Sequence, residues 1–486
     1  MTAESSREFD VIVIGAGAVG ENVADRVVRG GLTAVVIEAE LVGGECSYWA
    51  CIPSKALLRP GSALHAAQLV PGAAEAVTET LDASAALKHR DWFTARWQDH
   101  SQVKWLEDTG IELIRGRGRI TGPREVQVDG LDGNSYALKA THAVVVATGS
   151  TPTIPDIDGL KDVPYWTTRG ATSARTIPER FMVVGGGVAG VELAQAFARL
   201  GADVALVARG RLLSTFPPEA AKLVAAGLRA DGVDLRLNAD MHRVEKNDDG
   251  SLTVTLGDGK TLTADKLLVA SGRHPALANL GLENVGVEAQ NDKPLRLTTD
   301  STGLVEGAAS DGTSGLWLYA AGDAAGKALL THQGKYEARA TGDAIVARAA
   351  GKIHGAPQPW SPVVQTANEH AIPSVVFTDP EVASVGPTLE QALIRGINAT
   401  SVELPINVSG SQLLSSGYKG WAQLVVDEDR KVILGATFAG PGVAELLHAA
   451  TIAIVGEIPL ERLWHAVPSF PTLSEVWLRL LEKYGL

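Results

Sequence analysis

Cysteine is almost absent from this chain: Cys46 and Cys51 are the only two in 486 residues. A structural zinc site normally needs four Cys or His ligands, and no histidine lies within or closely after the segment that carries these two. No Lys/Arg-rich run offsets a net charge of −13, so phosphate backbones are repelled overall and nucleic-acid binding is disfavoured. Long hydrophobic runs are missing too. The polar, acidic stretch Met1 to Phe9 leads into Val11 to Ile14, an apolar run that ends in glycines after four residues, too short for a signal or membrane segment. These absences predict a cytoplasmic protein with no membrane association, and in a reducing compartment a cysteine pair is catalytic rather than structural. What is present is core material: 45% hydrophobic residues, over a length that suggests about three domains.

The two cysteines sit in Gly43-Gly44-Glu45-Cys46-Ser47-Tyr48-Trp49-Ala50-Cys51-Ile52-Pro53-Ser54-Lys55. A cysteine can also pack as a small hydrophobe. Cys51, however, precedes Ile-Pro-Ser-Lys at a helix start, and a thiolate at a helix N-terminus near a lysine has its pKa lowered by dipole and charge. That pattern favours reversible disulfide chemistry.

Asp10 to Ile14 reads as a buried strand, followed by Gly15-Ala16-Gly17-Ala18-Val19-Gly20, a helix to about Arg29, and a second strand from Thr33 to Ile37 ending at Glu38. This is a dinucleotide-binding fingerprint in full context. Gly15, Gly17 and Gly20 allow the tight turn and the close approach of a pyrophosphate to the helix N-terminus, and Glu38 can accept hydrogen bonds from a ribose. The pattern repeats: Phe181 to Val184 leads into Gly185-Gly186-Gly187-Val188-Ala189-Gly190, a helix through about Leu200 and a strand from Val204 to Val207. At the spacing that separates Gly15 from Glu38, the second motif has Ala208 and no acid. Arg209 and Arg211 follow, as a site for a 2′-phosphate would offer, so NADPH is favoured over NADH. Two such sites imply two nucleotides, a held flavin and an exchanging nicotinamide.

Over nearly its whole length the chain resembles the flavoprotein disulfide reductases, the family of dihydrolipoamide dehydrogenase, glutathione reductase and mercuric reductase. The resemblance rests on the first glycine motif with Glu38, the GGxCxxxxCxPSK loop, Ala147-Thr148-Gly149, the second glycine motif with Glu192, Ser271-Gly272-Arg273-His274-Pro275, Ala321-Gly322-Asp323, and Pro471-Thr472-Leu473-Ser474-Glu475. It implies an α/β fold with two Rossmann-like domains, for FAD and NAD(P)H, and a C-terminal α+β dimerisation domain. Residues 1–155 and 275–350 would form a discontinuous FAD domain, 156–274 the NAD(P)H domain and 355–486 the interface domain of a homodimer. FAD would be held by Gly15, Gly17, Gly20, Glu38, Gly44, Lys55, Gly118, Thr148, Gly149, Gly322 and Asp323, and the nicotinamide nucleotide by Gly185, Gly187, Gly190, Arg209 and Arg211. By the same resemblance Cys51 faces the flavin and Cys46 meets substrate, Lys55 and Glu192 pair beside the reactive edge of the isoalloxazine, and the turn from Leu329 to His332 starts a helix aimed at its pyrimidine end.

The C-terminus departs from the family. Its members carry His-Pro-Thr-x-x-Glu, whose histidine reaches across the dimer to exchange a proton with the substrate thiol; here the slot reads Phe470-Pro471-Thr472-Leu473-Ser474-Glu475. Phenylalanine transfers no proton, a step worth ~10²–10⁴-fold in rate. His465, five residues earlier, is the nearest substitute. In the cysteine loop, Glu45 stands where threonine is common and Tyr48-Trp49 where an Asn-Val pair is, which suggests a more apolar or closed pocket, or rings that pack the helix. The leading expectation is an enzyme that passes electrons from NAD(P)H through FAD to the Cys46–Cys51 disulfide and on to a small-molecule or disulfide acceptor. The alternatives are a quinone or metal-ion reductase, an enzyme like 2-ketopropyl-coenzyme M oxidoreductase/carboxylase that uses Phe470 to exclude a proton donor, and a non-enzymatic redox sensor. No resident metal is expected.

Overall fold

A computed structural model of the chain describes residues 7–288, 294–309, 316–353 and 355–486; the first six residues of the polar N-terminal stretch lie outside it. Along the chain come β1 (Arg7–Ile14), α1 (Ala18–Arg29), β2 (Ala34–Glu38), α2 (Gly44–Tyr48), α3 (Cys51–Gln68), β3 (Glu112–Gly122), β4 (Glu125–Gly130), β5 (Ser135–Val146), β6 (Arg180–Val184), α4 (Val188–Arg199), β7 (Asp203–Ala208), β8 (Asp234–Leu237), β9 (Lys266–Val269), β10 (Leu318–Ala320), α5 (Thr331–Ala349), β11 (Pro373–Val376), β12 (Glu381–Val385), β13 (Ala399–Pro405), β14 (Trp421–Asp427), β15 (Val432–Gly440) and α6 (Glu475–Tyr484). Two compact units result: one of residues 1–52, 94–151 and 273–368, the other of 53–93, 152–272 and 369–486.

In the first unit a parallel sheet runs β3-β2-β1-β5-β10, with Val11 opposite Ala34 and Ala143, and Leu318 opposite Val144. The far halves of β3 and β5 pair antiparallel with β4. β1 is apolar at consecutive positions because both its faces are covered. Val11 and Val13 pack with Val23, Ala24 and Val27 of α1 and Ala338 and Ile345 of α5, while Ile12 and Ile14 pack with Ile120, Val126 and Trp317. The carboxyl end of β1 thus delivers the glycine turn to the edge of the sheet, where open α/β sheets bind ligands.

The second unit holds a parallel sheet β9-β6-β7-β8 and a five-stranded antiparallel sheet β11-β12-β15-β14-β13. Phe181 and Val183 of β6 share a core with Val191 and Phe197 of α4 and with Val376, Val382, Trp421 and Ala439 of the antiparallel sheet. The two βαβ repeats expected from the glycine motifs are present, and the class is α/β with a C-terminal α+β part. Among the described residues no helix is long and apolar enough to cross a membrane.

Candidate functional site

The first glycine motif forms a closed turn between β1 and α1. Gly15 has φ +103°, and a Cβ on it would lie 2.5 Å from the Ala147 carbonyl oxygen; a Cβ on Gly20 would lie 1.9 Å from that of Gly15. Only glycine fits at either position. Glu38, at the end of β2, accepts from the Ala16 amide at 2.8 Å through Oε2 and from the Glu40 amide at 2.8 Å through Oε1. Burial raises its carboxyl, and those two amides work against the rise. A carboxylate has about four lone-pair sites, so ribose hydroxyls still find acceptors. The Thr148 hydroxyl donates to the Ala276 carbonyl at 2.7 Å, which ties the Ala147-Thr148-Gly149 turn to the segment after Arg273. Turn, helix start and terminal acid suit a dinucleotide. In the second motif a Cβ on Gly190 would lie 2.0 Å from the Gly185 oxygen while the space around Gly187 is open, which leaves the helix N-terminus accessible to a second pyrophosphate.

The cysteines lie where α2 gives way to α3. Gly43 and Gly44 have φ +105° and +61°, and a Cβ on Gly44 would come within 2.8 Å of the Gly17 α-carbon, so the cysteine loop rests on the first glycine turn. Cys51 Sγ is 3.2 Å from the hydroxyl of Thr331, the first residue of α5. The N-terminus of α5 therefore faces this sulfur and favours its thiolate. The Cys46 thiol is pushed up by its hydrogen bond with Cys51, by burial and by the charge of Cys51, against a downward pull from Thr331 and Lys335.

Both departures in the loop have partners in the same unit. Glu45 pairs with Arg273 at 3.2 Å; Arg273 donates to the Ser150 hydroxyl and carbonyl at 2.8 Å each, and Ser150 donates to Asp323. Burial raises the Asp323 carboxyl, while Ser150 and Arg273 lower it. Tyr48 is 1% exposed, so it packs the loop instead of lining a pocket, and Trp49 is half-buried. The Tyr48 carbonyl accepts from the Trp97 indole at 3.0 Å. Trp97 ends a turn, Ala95-Arg96-Trp97, with φ of 47°, 54° and 57°. Left-handed backbone costs roughly 1–2 kcal/mol per non-glycine residue, so this turn is held in place by what it clamps.

In the second unit Lys55 Nζ is 2.6 Å from Glu192 Oε2, and the Phe377 amide donates to Glu192 Oε1 at 2.9 Å. Glu192 is 2% exposed, and the Phe377 ring stands 4.9 Å from the ammonium. The same face of α4 continues with Gln195, which exchanges hydrogen bonds with the Asp379 amide and carbonyl, and with Arg199, which binds Asp231 at 3.0 Å and Asp379 at 2.9 Å. Asp379 also takes His65 Nδ1 at 2.5 Å. Burial works against ionised Asp379, but His65 and Arg199 win and hold its carboxyl low.

Gly118 lies inside β3 against the side chains of Ile37 and Ile14. His332 is exposed in the first turn of α5. Arg211 donates to the carbonyls of Leu212, Leu213, Ser214 and Phe216, so its guanidinium is committed to its own loop; Arg209 is exposed. Phe470 is 74% exposed and His465 is exposed. Glu475 is buried, and its Oε2 has no hydrogen-bond partner among the described residues. Sequence reasoning missed Trp97 and the Gln195–Arg199–Asp379–His65 seam, and within the Leu329–His332 turn it singled out His332 instead of Thr331. Only the spacing of Gln195 and Arg199 from Glu192, three and seven positions along one helix, was available as a signal.

Residues 9–351 match the family model of the pyridine nucleotide-disulphide oxidoreductases, and residues 372–480 match the dimerisation domain of the same family. The chain is 32% identical to a dihydrolipoyl dehydrogenase from Thermus scotoductus, over 98% of this chain and 97% of that one. It is 33% identical to a mercuric reductase from Shigella flexneri, over 97% and 80% respectively. Its fold matches the Cu(II) complex of the HOCl-induced flavoprotein disulfide reductase of Escherichia coli with a TM-score of 0.80 at 22% identity, over 98% of this chain and 99% of that one.

Proposed function

Because the chain belongs to the pyridine nucleotide-disulphide oxidoreductases, enzymes that use FAD and NAD(P)H, we propose that it is the Cys46–Cys51 pair that receives the electrons and Cys46 that passes them to the acceptor. The observation that carries this reading is the contact of Cys51 with Thr331 at the start of α5, where the helix N-terminus favours its thiolate, while the Cys46 thiol is pushed up by Cys51 and by burial. FAD, when bound, accepts hydride from the reduced nicotinamide and releases two electrons to a disulfide. The chain supplies the rest. Gly15, Gly17, Gly20, Glu38, Thr148, Gly149, Gly322 and Asp323 would hold FAD; Gly44 keeps the cysteine loop against the first glycine turn; α5 stabilises the thiolate of Cys51; and Glu192 fixes the Lys55 ammonium.

NADPH is the proposed nucleotide. Ala208 stands where an acid would select NADH, Arg209 is exposed for a 2′-phosphate, and Arg211 supports the loop that presents it. The proposed domains are 1–155 with 275–350 for FAD, 156–274 for NADPH and 355–486 for dimerisation. A homodimer is supported by the match to a dimerisation domain and by the exposed Ile452, Val455, Trp464, Val467 and Phe470 that lie within or beside helices of that region. We place the enzyme in the cytoplasm.

The acceptor reacts at Cys46 without a proton from a C-terminal histidine, since Phe470 fills that slot and Glu475 Oε2 stays unpartnered among the described residues. A disulfide is the first candidate. A metal ion is the second, favoured by the mercuric reductases among the relatives and by the fact that two thiolates bind a soft ion without a base. NADPH oxidation is to be followed with lipoamide, glutathione disulfide, Hg(II) and a benzoquinone as acceptors, in wild type and Cys46→Ser. Turnover with a disulfide or Hg(II) that disappears in Cys46→Ser supports the reading. Equal turnover in both proteins, as for a quinone reduced directly by the flavin, overturns it.

A further inference from the structure

We propose that Glu45 and Trp97 are positioning residues that hold the cysteine loop fixed in both redox states and so make the Cys46–Cys51 pair a stronger reductant; the inference rests on the reading of that pair as a cycling disulfide. Every contact involved lies in the first unit. Glu45 precedes Cys46 in α2 and Tyr48 is the last residue of that helix, so whatever fixes these two fixes the backbone that carries the first sulfur. Both depart from the residues common in the family. Each is held by a partner distant in the sequence.

Arg273 holds the front of α2. Its Nη2 donates to Glu45 Oε2 at 3.2 Å and to the Ser150 carbonyl at 2.8 Å, while its Nε donates to the Ser150 hydroxyl at 2.8 Å; that hydroxyl donates in turn to Asp323. The guanidinium is thus anchored just past β5 before it meets the loop, and its planar fork suits several fixed acceptors at once. The segment from Trp97 to Asp99 holds the back. The Trp97 indole donates to the Tyr48 carbonyl at 3.0 Å, and Asp99 Oδ2, itself bound by Arg115, accepts from the Val42 amide at 2.8 Å. This one segment therefore grips the loop before and after Cys46. Between those points the Gly43 amide donates to the Ala16 carbonyl at 2.8 Å. The left-handed run Ala95-Arg96-Trp97 belongs to the same device, since such backbone persists only where its surroundings over-determine it.

The consequence falls on the thiol–disulfide equilibrium. The loop presents Cys46 and Cys51 within hydrogen-bonding reach of each other. A loop already fixed in that arrangement loses little freedom when the S–S bond closes, so the effective concentration of one thiol at the other is high. A loose loop has to be ordered first. Each tenfold gain in effective concentration favours the disulfide and makes the pair more reducing by about 30 mV.

The test equilibrates FAD-loaded enzyme anaerobically with mixtures of reduced and oxidised dithiothreitol, quenches with acid, and counts the free thiols of Cys46 and Cys51 by alkylation and mass spectrometry. One dithiothreitol supplies two electrons and two protons; the Cys46–Cys51 bond breaks to two thiols as the probe closes to its cyclic disulfide. Trp97→Phe keeps an aromatic ring and removes the donor to Tyr48, and Glu45→Ala releases α2 from Arg273. Each variant is expected to be reduced more easily than wild type, by about three- to tenfold in the equilibrium constant, the worth of one hydrogen bond, or about 15–30 mV. Trp97→Phe is decisive because it changes no charge. The flavin spectrum of each variant reports that it is folded. An unshifted potential in Trp97→Phe overturns the proposal, even if Glu45→Ala shifts, since the charge of Glu45 would then suffice; so does a pair that becomes harder to reduce in either variant. A thiol count in wild type that no dithiothreitol ratio alters overturns the underlying reading instead, and the wild type alone reveals it.

Discussion

Arg199→Met probes the polar seam that holds Glu192. The Arg199 side chain is 9% exposed, with Nε 3.0 Å from Asp231, Nη2 2.9 Å from Asp379 and Nη1 buried without a partner among the described residues. Breaking a buried ion pair costs about 3–5 kcal/mol when the surviving charge is left uncompensated. Here Asp231 keeps Gln195 at 2.6 Å and Asp379 keeps His65, and methionine refills the apolar volume. The expected loss is therefore about 2–3 kcal/mol in urea unfolding of the FAD-loaded enzyme, at or below the low end of that range. The loss also depends on pH. The His65 pKa is raised by its hydrogen bond to Asp379, opposed by burial, raised again by the charge of Asp379, and lowered by Arg199. A raised histidine contributes stability that is complete below its unfolded pKa and is lost as pH rises through the folded one. Without Arg199 the protonated His65 compensates Asp379 more fully, so the deficit is smaller at about pH 6 than at about pH 8.5, where Asp379 has lost both positive partners. Unaltered stability, or a deficit equal at both pH values, refutes the seam as described.

Three further perturbations separate the parts of the account. Gly20→Ala sets a methyl 1.9 Å from the Gly15 oxygen, and the purified protein is expected to lack the visible flavin spectrum; stoichiometric flavin refutes the cradle. Arg209→Ala raises the KM for NADPH about 10–100-fold, the worth of a charge-assisted contact, without affecting NADH. Arg211→Ala instead lowers the thermal midpoint, because four loop carbonyls lose their donor, and keeps the coenzyme preference; the reverse pattern refutes the division of roles. Phe470→His raises turnover with small disulfides by about tenfold or more, and unchanged or lower turnover shows that Phe470 does not occupy the vacated slot.

The two glycine turns were legible in the sequence because their demands are local: a strand and a forbidden Cβ, with a terminal acid after the first, within some two dozen residues. The helix that starts at Cys51 was legible for the same reason. The partners were not. Glu45 reads as an unexplained acid until Arg273 is found 228 positions away, and Tyr48 reads equally as a pocket residue or as packing until its ring proves to be buried. Arg211 looked equivalent to Arg209 because side-chain-to-carbonyl bonds leave no trace in spacing.

The claim on which the rest depends is that electrons pass through the cysteines and that Cys51 is the sulfur next to the flavin. Anaerobic titration of the purified protein with NADPH, followed in the visible spectrum, tests it most directly. The account predicts a long-wavelength thiolate–flavin charge-transfer band in wild type that is lost in Cys51→Ser and kept in Cys46→Ser. Direct bleaching of the flavin in wild type, with no such band at any stage of the titration, contradicts it.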